Sequence, residues 1–299
     1  MAWGVVCLLL LASLLGIWTY AQGLENQVTS LKKQLIASEQ PQPSTCKVMG
    51  TWQSNTTTLL STGKRQYGVH VPQHFKPDSY YPLIMFYPGK GATAEAAEAA
   101  FGMNNSPAII VYPHPTLGTD GYTAWQGAPY SSSADDVQFT ANILDQLQTK
   151  LCIDRTKVYA IGVSNGGGFT SLLSCKLANR FAAVATIAGA MYAPDGNCQP
   201  PRPMPLISVH GDNDPIVPYH GSLTRHLPDI DSWTHSRAMI NGCKQQSVAK
   251  IGFDITLTQW SKCRSNADVQ NVRIVGGGHG AWNKEISTTV WQFLSRFSL

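Results

Sequence analysis

Short apolar runs recur along this chain, and what lies between them leaves room for few architectures. RQYGVHV (65–71) alternates like a half-buried strand. PLIMFY (82–87) and AIIVYP (108–113) are unbroken, as in a sheet covered on both faces. KVYAIGV (157–163), AAVATIAG (182–189), PLISVHG (205–211) and VQNVRIVGGG (269–278) continue the series, and the stretch 244–262 reads as one further strand with a lead-in loop. Helical periodicity fills the gaps. SADDVQFTANILDQLQTKL (133–151) places Val137, Ile143, Leu144 and Leu147 on one side, and GGFTSLLSCKLA (167–178) follows the next strand. WNKEISTTVWQFLSRF (282–297) turns Ile286, Val290 and Phe293 inward. Strands and helices alternating in this way predict an α/β fold, a mostly parallel central sheet with helices on both faces.

That domain is expected to span 46–299, because the chain ahead of it is different in kind. Residues 1–22 carry no charged side chain and form an apolar stretch nearly long enough to span a bilayer. Thr19-Tyr20-Ala21 offers the small residues of a signal-peptidase site, so the segment reads as a cleaved signal peptide. The alternative is an uncleaved anchor that tethers the chain to a membrane with the rest outside. Residues 23–45 follow as a short stalk and linker. Leu24, Val28, Leu31 and Leu35 fall at heptad spacing, but two heptads are too few for a stable coiled coil alone. Either reading of the leader exports the domain.

The cysteines agree with export. Apart from Cys7 in the leader there are Cys46, Cys152, Cys175, Cys198, Cys243 and Cys263, an even number without zinc-site spacing. Proximity in the chain suggests the pairs Cys243–Cys263, Cys175–Cys198 and Cys46–Cys152. No metal or other cofactor is expected. Charged residues make up only 13% of the chain and the net charge is +4, with no basic block to track a phosphate backbone. Nucleic acid is set aside as a partner.

In sheets of this class, ligands bind at the carboxyl ends of the strands. There KVYAIGV delivers Gly162-Val163-Ser164-Asn165-Gly166, a G-x-S-x-G turn between strand and helix. Such a turn exposes a serine hydroxyl and aims the N–H of the next residue, Asn165, at the site. A serine needs a base, and in this chain order the base comes last. Of the eight histidines, His279 sits in a glycine-rich loop between the last strand and the last helix. The loop HGDNDPIVPYHG (210–221) offers Asp212 and Asp214 as the third member. Asp214 is favoured, since Asp212 beside Gly211 suits its own turn's backbone. The second oxyanion donor is sought in YPGKGAT (87–93), with the N–H of Lys90 as candidate. Trp125, Tyr219 and Trp282 are candidates for an aromatic substrate pocket, with the core as the competing place for them.

With those motifs in hand, the chain from about Cys46 to Leu299 resembles the α/β-hydrolase family of secreted feruloyl esterases and polyhydroxybutyrate depolymerases. The likeness is carried by CIDRTKVYAIGVSNGGG (152–168), HGDNDPIVPY (210–219), NGC (241–243), GGGHGAW (276–282) and PLIMFYPGKG (82–91). It implies an α/β-hydrolase fold, a triad of Ser164, Asp214 and His279, and an ester substrate linked to plant cell-wall polysaccharide. Two departures stand out. Pro88 occupies the place where the family usually has a histidine, and Gly280 follows His279 where a bulky or hydroxylated residue is common. The first expectation is hydrolysis of feruloyl esters. The alternatives are a polyhydroxyalkanoate depolymerase or acetylxylan esterase and, from another class, a non-catalytic membrane-tethered binding protein.

Overall fold

The computed structural model describes residues 45–192, 199–280 and 282–299, with positions 21, 22, 25 and 29 upstream. Packing divides the chain into two compact units, Met1–Pro41 and Gln42–Leu299, and the second is described here. Residues 1–20 and the heptad positions Leu24, Val28, Leu31 and Leu35 lie outside the described residues. Among the described residues no helix is long and apolar enough to cross a membrane.

The strands are β1 (Thr57–Thr62), β2 (Arg65–His70), β3 (Tyr81–Tyr87), β4 (Ile109–Pro113), β5 (Thr116–Leu117), β6 (Thr123–Ala124) and β7 (Ile153–Val163). They continue as β8 (Ala183–Ile187), β9 (Leu206–Gly211), β10 (Gln245–Ile251), β11 (Ile255–Ser261) and β12 (Val269–Ile274). The helices are α1 (Ala94–Phe101), α2 (Asp136–Lys150), α3 (Asn165–Lys176), α4 (Ile230–Ile240) and α5 (Lys284–Leu294). Ten strands form one sheet in the order β1-β2-β4-β3-β7-β8-β9-β12-β11-β10, and β5 and β6 make a separate small hairpin. The middle of the sheet, from β4 to β12, is parallel. Antiparallel pairs finish both edges. This is the architecture of an α/β-hydrolase.

Period-two patterning builds two cores from one strand. Leu83, Met85 and Tyr87 of β3 join one cluster with Ile143, Leu144 and Leu147 of α2 and Phe169, Leu172 and Leu173 of α3. Ile84 and Phe86 join the other, under Ala94 and Ala97 of α1 and Ile286, Val290, Phe293 and Leu294 of α5. The unbroken apolar runs therefore mean burial on both faces. The helix starts are set by side chains. Thr93, Asp135 and Asn283 each accept a backbone N–H from the first turn of the helix that follows.

One expectation fails. The stretch 244–262 is a hairpin, β10 and β11, rather than one strand. Gly252 at the bend has φ of +66°, which a glycine adopts without steric cost and which reverses the chain. The three residues Gly-Phe-Asp between the strands were the available signal.

Chain reversal begins at β3. The path runs from β3 to β4 on one side, then returns past β3 to β7 and onward. The crevice between the carboxyl ends of β3 and β7 is thus the switch point where such sheets take ligands.

Two disulfides fix the periphery. Cys46–Cys152 ties the first described residues to the start of β7, and Cys243–Cys263 closes the open end of the β10–β11 hairpin. Cys175 is also disulfide-bonded, while Cys198, its expected partner, lies outside the described residues. The sequence separations are 106 and 20 residues. Chain-entropy scaling then gives about 4.7 kcal/mol for the first and about 3 kcal/mol for the second. Urea unfolding of the Cys46→Ser/Cys152→Ser double variant is therefore expected to show the larger loss of stability. Equal losses, or the reverse order, would contradict that ranking.

Candidate active site

Ser164 occupies the turn from β7 into α3 with φ 55° and ψ −119°, a region that residues other than glycine rarely adopt. Holding it there costs on the order of 1–3 kcal/mol. Backbone bonds on both sides offset that cost: Ser164 N–H donates to Ile187 O at 2.8 Å, and Ser164 O accepts from Ala190 N–H at 2.9 Å and Gly168 N–H at 3.1 Å. The glycines are needed for space. A Cβ on Gly162 would overlap the carbonyl of Gly166, and one on Gly166 would overlap the carbonyls of Tyr87 and Pro88. The start of α3 therefore lies directly against the loop that leaves β3. The strain, the strand–helix turn and the glycines make this a nucleophile elbow in geometry.

Two strands away from β7 the loop after β9 carries Asp214, and one strand further the loop after β12 carries His279. Asp214 Oδ2 accepts from His279 Nδ1 at 2.7 Å. The carboxylate is fully saturated. Its Oδ1 accepts the N–H groups of Ile216 at 2.8 Å and Val217 at 2.9 Å, while His210 Nε2 lies 3.3 Å from Oδ2. Burial alone would push this carboxyl up. The donors His210, Val217 N–H, His279 and Ile216 N–H outweigh burial and hold it well below the usual carboxylate range. His210 is itself buried, and its Nε2 also lies 2.8 Å from Val217 O. It pins the Asp214 turn to the strand beneath, the structural role that a histidine at the end of a buried strand suggests.

Asp212 is used differently. It takes Arg273 Nε at 3.0 Å and Gly276 N–H at 2.6 Å, so it braces the loop of His279 instead of its own turn. Asn213 N–H adds a bond to Gly277 O at 3.0 Å. The acidic loop and the glycine-rich loop of His279 are thereby locked together, leaving one imidazole nitrogen of His279, Nε2, free of the Asp214 contact.

The loop after β3 places Gly89 beside Ser164: a Cβ there would stand 3.2 Å from Ser164 Cβ. Among the described residues neither Gly89 N–H nor Lys90 N–H has an acceptor. The side chain of Lys90 turns away to the carboxylate of Asp120, with its Nζ 4.2 Å from the Tyr130 ring centre. Trp125 and Tyr219 do not line a pocket. Both are fully buried. Tyr219 hydroxyl donates to Asp231, and Trp125 stacks on Phe169 with ring centres 5.3 Å apart. Trp282 is partly exposed, but it borders a groove with Phe101 and Trp291, and its Nε1 donates to Phe101 O. A cavity of about 450 Å³ instead lies along α3, lined by Gly168, Met191, Tyr192, Leu227 and Trp233 among others. Its lining comes from four separate stretches of chain, which is why no local motif announces it. Among the described residues no cluster of side chains is suited to a metal ion.

No family model matches the chain. It is 29% identical over 249 residues to feruloyl esterase B of Piromyces equi, covering 77% of this chain and 45% of that one. Feruloyl esterase D of Neurospora crassa is 27% identical over 259 residues, covering 81% of this chain and 85% of that one. The chain thus spans less than half the length of the Piromyces relative. Among solved structures, an acetyl xylan esterase from Aspergillus awamori superposes with TM-score 0.60 at 14% identity, over 80% of this chain and 99% of that one. The curated relatives it resembles carry feruloyl esterase names, and the solved structure shares its α/β-hydrolase fold.

The donors around Asp214 carry a consequence for stability. Its folded value lies below the ordinary 3.8, so the unfolded chain binds the extra proton first as pH falls. The stabilisation is complete above about pH 4 and drains away as pH drops through the window beneath it. Urea midpoints measured from pH 7 to pH 2 should therefore converge for the parent and Asp214→Asn at the acid end. A constant gap across that range would contradict the assignment.

Proposed function

We propose, from that kinship and from the geometry, that this chain is an exported serine carboxylesterase acting through an acyl-enzyme on Ser164, with feruloyl esters of plant cell-wall polysaccharide as substrate. The observation that carries the reading is the strained Ser164 on the same sheet edge as the Asp214–His279 pair. In this reading His279 Nε2 takes the proton of Ser164 Oγ as Oγ attacks the ester carbonyl carbon. Asp214 holds the imidazole by Nδ1 and stabilises its charged form. The N–H groups of Asn165 and of the Gly89–Lys90 loop receive the oxyanion. Collapse releases the alcohol, a sugar hydroxyl, with the proton from His279. Water then repeats the sequence to free the acid.

Export is supported by the disulfides and by the apolar residues 1–22. The feruloyl group is supported by the names of the relatives. The cavity along α3 also fits, since Gly168 N–H bonds to the carbonyl of Ser164 itself. Apolar walls of Met191, Leu227 and Trp233, with the hydroxyl groups of Ser171, Ser222 and Ser232, suit a substituted aromatic ring. An acetyl group has no use for such a space.

Turnover of methyl ferulate, an acetylated sugar and a short polyhydroxybutyrate oligomer tests the substrate, with methyl ferulate expected to be fastest. Preference for either other compound would replace the feruloyl reading. A fluorophosphonate probe tests the chemistry. It should label Ser164, and Ser164→Ala should abolish labelling. Asp214→Asn is expected to lower kcat roughly a thousandfold or more, by loss of the orienting anion, whereas Asp212→Asn should stay far closer to the parent. A folded protein that the probe never labels is no serine hydrolase.

A further inference from the structure

Both walls of the oxyanion hole meet at one buried residue. Trp125 N–H donates to Asn165 Oδ1 at 2.7 Å, and Asn165 Nδ2 returns a bond to Trp125 O at 3.4 Å. The indole Nε1–H of the same residue donates to Pro88 O at 2.9 Å. Asn165 and the loop from Pro88 to Gly91 supply the two sets of N–H groups assigned above to the oxyanion. They come from different strands, β7 and β3, so nothing in the chain's connectivity sets their separation. Trp125 bonds to both.

Its neighbours hold the same loop at further points. Gly91 N–H donates to Thr123 O at 2.8 Å, and Thr123 Oγ1 donates to Ala92 O at 3.0 Å. Lys90 Nζ is paired with Asp120 and lies over the rings of Tyr130 and Tyr122. The base of this clamp is rigid as well. Gln126 N–H donates to the buried Asp136 carboxylate at 2.7 Å, and Arg65 pairs with Asp136 at 2.6 Å. Trp125 itself is wedged between Phe169, stacked at 10° between planes, and Tyr87, met edge-on. Pro88 fits this arrangement. It has no N–H of its own to aim, but its carbonyl is a fixed acceptor on a residue with locked φ.

We infer that Trp125 is a positioning residue for the oxyanion hole, setting the distance between the Asn165 N–H and the loop N–H groups through its bonds to the Asn165 amide and the Pro88 carbonyl. The inference rests on the serine-esterase reading and deepens it. A core tryptophan whose only task is packing would be satisfied by any acceptor. This one spends its polar groups on the two elements that must stay in register while charge develops on the substrate oxygen.

Trp125→Phe keeps a ring in the stack and deletes the bond to Pro88. Misplacing catalytic groups by about 1 Å costs around a hundredfold, and losing one oxyanion donor costs about 10²–10³. The expected result on an activated aryl ester is a fall of roughly 10- to 100-fold in kcat, with KM within about threefold of the parent. The Ki of a phenylboronic acid, whose tetrahedral adduct places an oxygen in the hole, should rise by a comparable factor. Tyr67→Phe is the control, because it removes a core hydrogen bond to Gln146. It should lower stability without moving kcat or Ki. Thr123→Val decides the matter if Trp125→Phe does not fold, with an expected loss of a few-fold to tenfold in kcat at unchanged KM. An active parent with kcat and boronate affinity unaltered in the folded variants overturns the positioning role alone. A parent that neither turns over ester nor reacts with fluorophosphonate overturns the esterase reading and this one with it.

Discussion

Everything at the site depends on how closely the start of α3 lies against the loop leaving β3. Gly166 sits where any side chain would strike the carbonyls of Tyr87 and Pro88, and Gly162 where it would strike Gly166. That contact permits the positive φ of Ser164 and brings Gly89 beside it. Hydrophobic burial cannot supply such precision, because it is proportional to area and indifferent to direction. It fills the two cores on either side of the sheet, and backbone hydrogen bonds and carbonyl contacts then decide where the serine points.

The acid–base half obeys the same division. β9, wholly buried, and its neighbour β12 deliver Asp214 and His279 to one end of the sheet, but directional bonds distinguish two nearby carboxylates. Asp214 has donors on both oxygens and is buried. Asp212 faces a guanidinium and a loop N–H. The first environment orients an imidazole. The second stiffens the loop on which that imidazole stands. Two acids two residues apart thus serve unlike purposes because the chain turns at Asp212–Asn213 and gives each its own neighbours.

Much of this was legible in the sequence, for reasons that are local. The strands of the parallel sheet announce themselves as unbroken apolar runs, and the elbow as glycines at fixed offsets around Ser164. His279 stands out because its loop follows the last central strand. What stayed hidden depends on residues brought together from afar. His210 reads as a structural donor, but its partners Val217 and Asp214 show only once their loop folds back over it. Trp125 reads as a pocket aromatic because sequence shows its ring but not its partners, and both partners lie about forty residues away. The β10–β11 hairpin was missed for the opposite reason: its turn is short, and its flanks are uniformly strand-like.

The Cys46–Cys152 bridge has a mechanical meaning. Cys152 immediately precedes β7, and Ser164 immediately follows it. The entry point of the domain and Ser164 therefore stand at opposite ends of the same central strand. A pull applied to the chain ahead of Cys46 is delivered through the disulfide to the root of the central strand. The load reaches the sheet there, at the end of the domain remote from the loops that carry Ser164, Asp214 and His279.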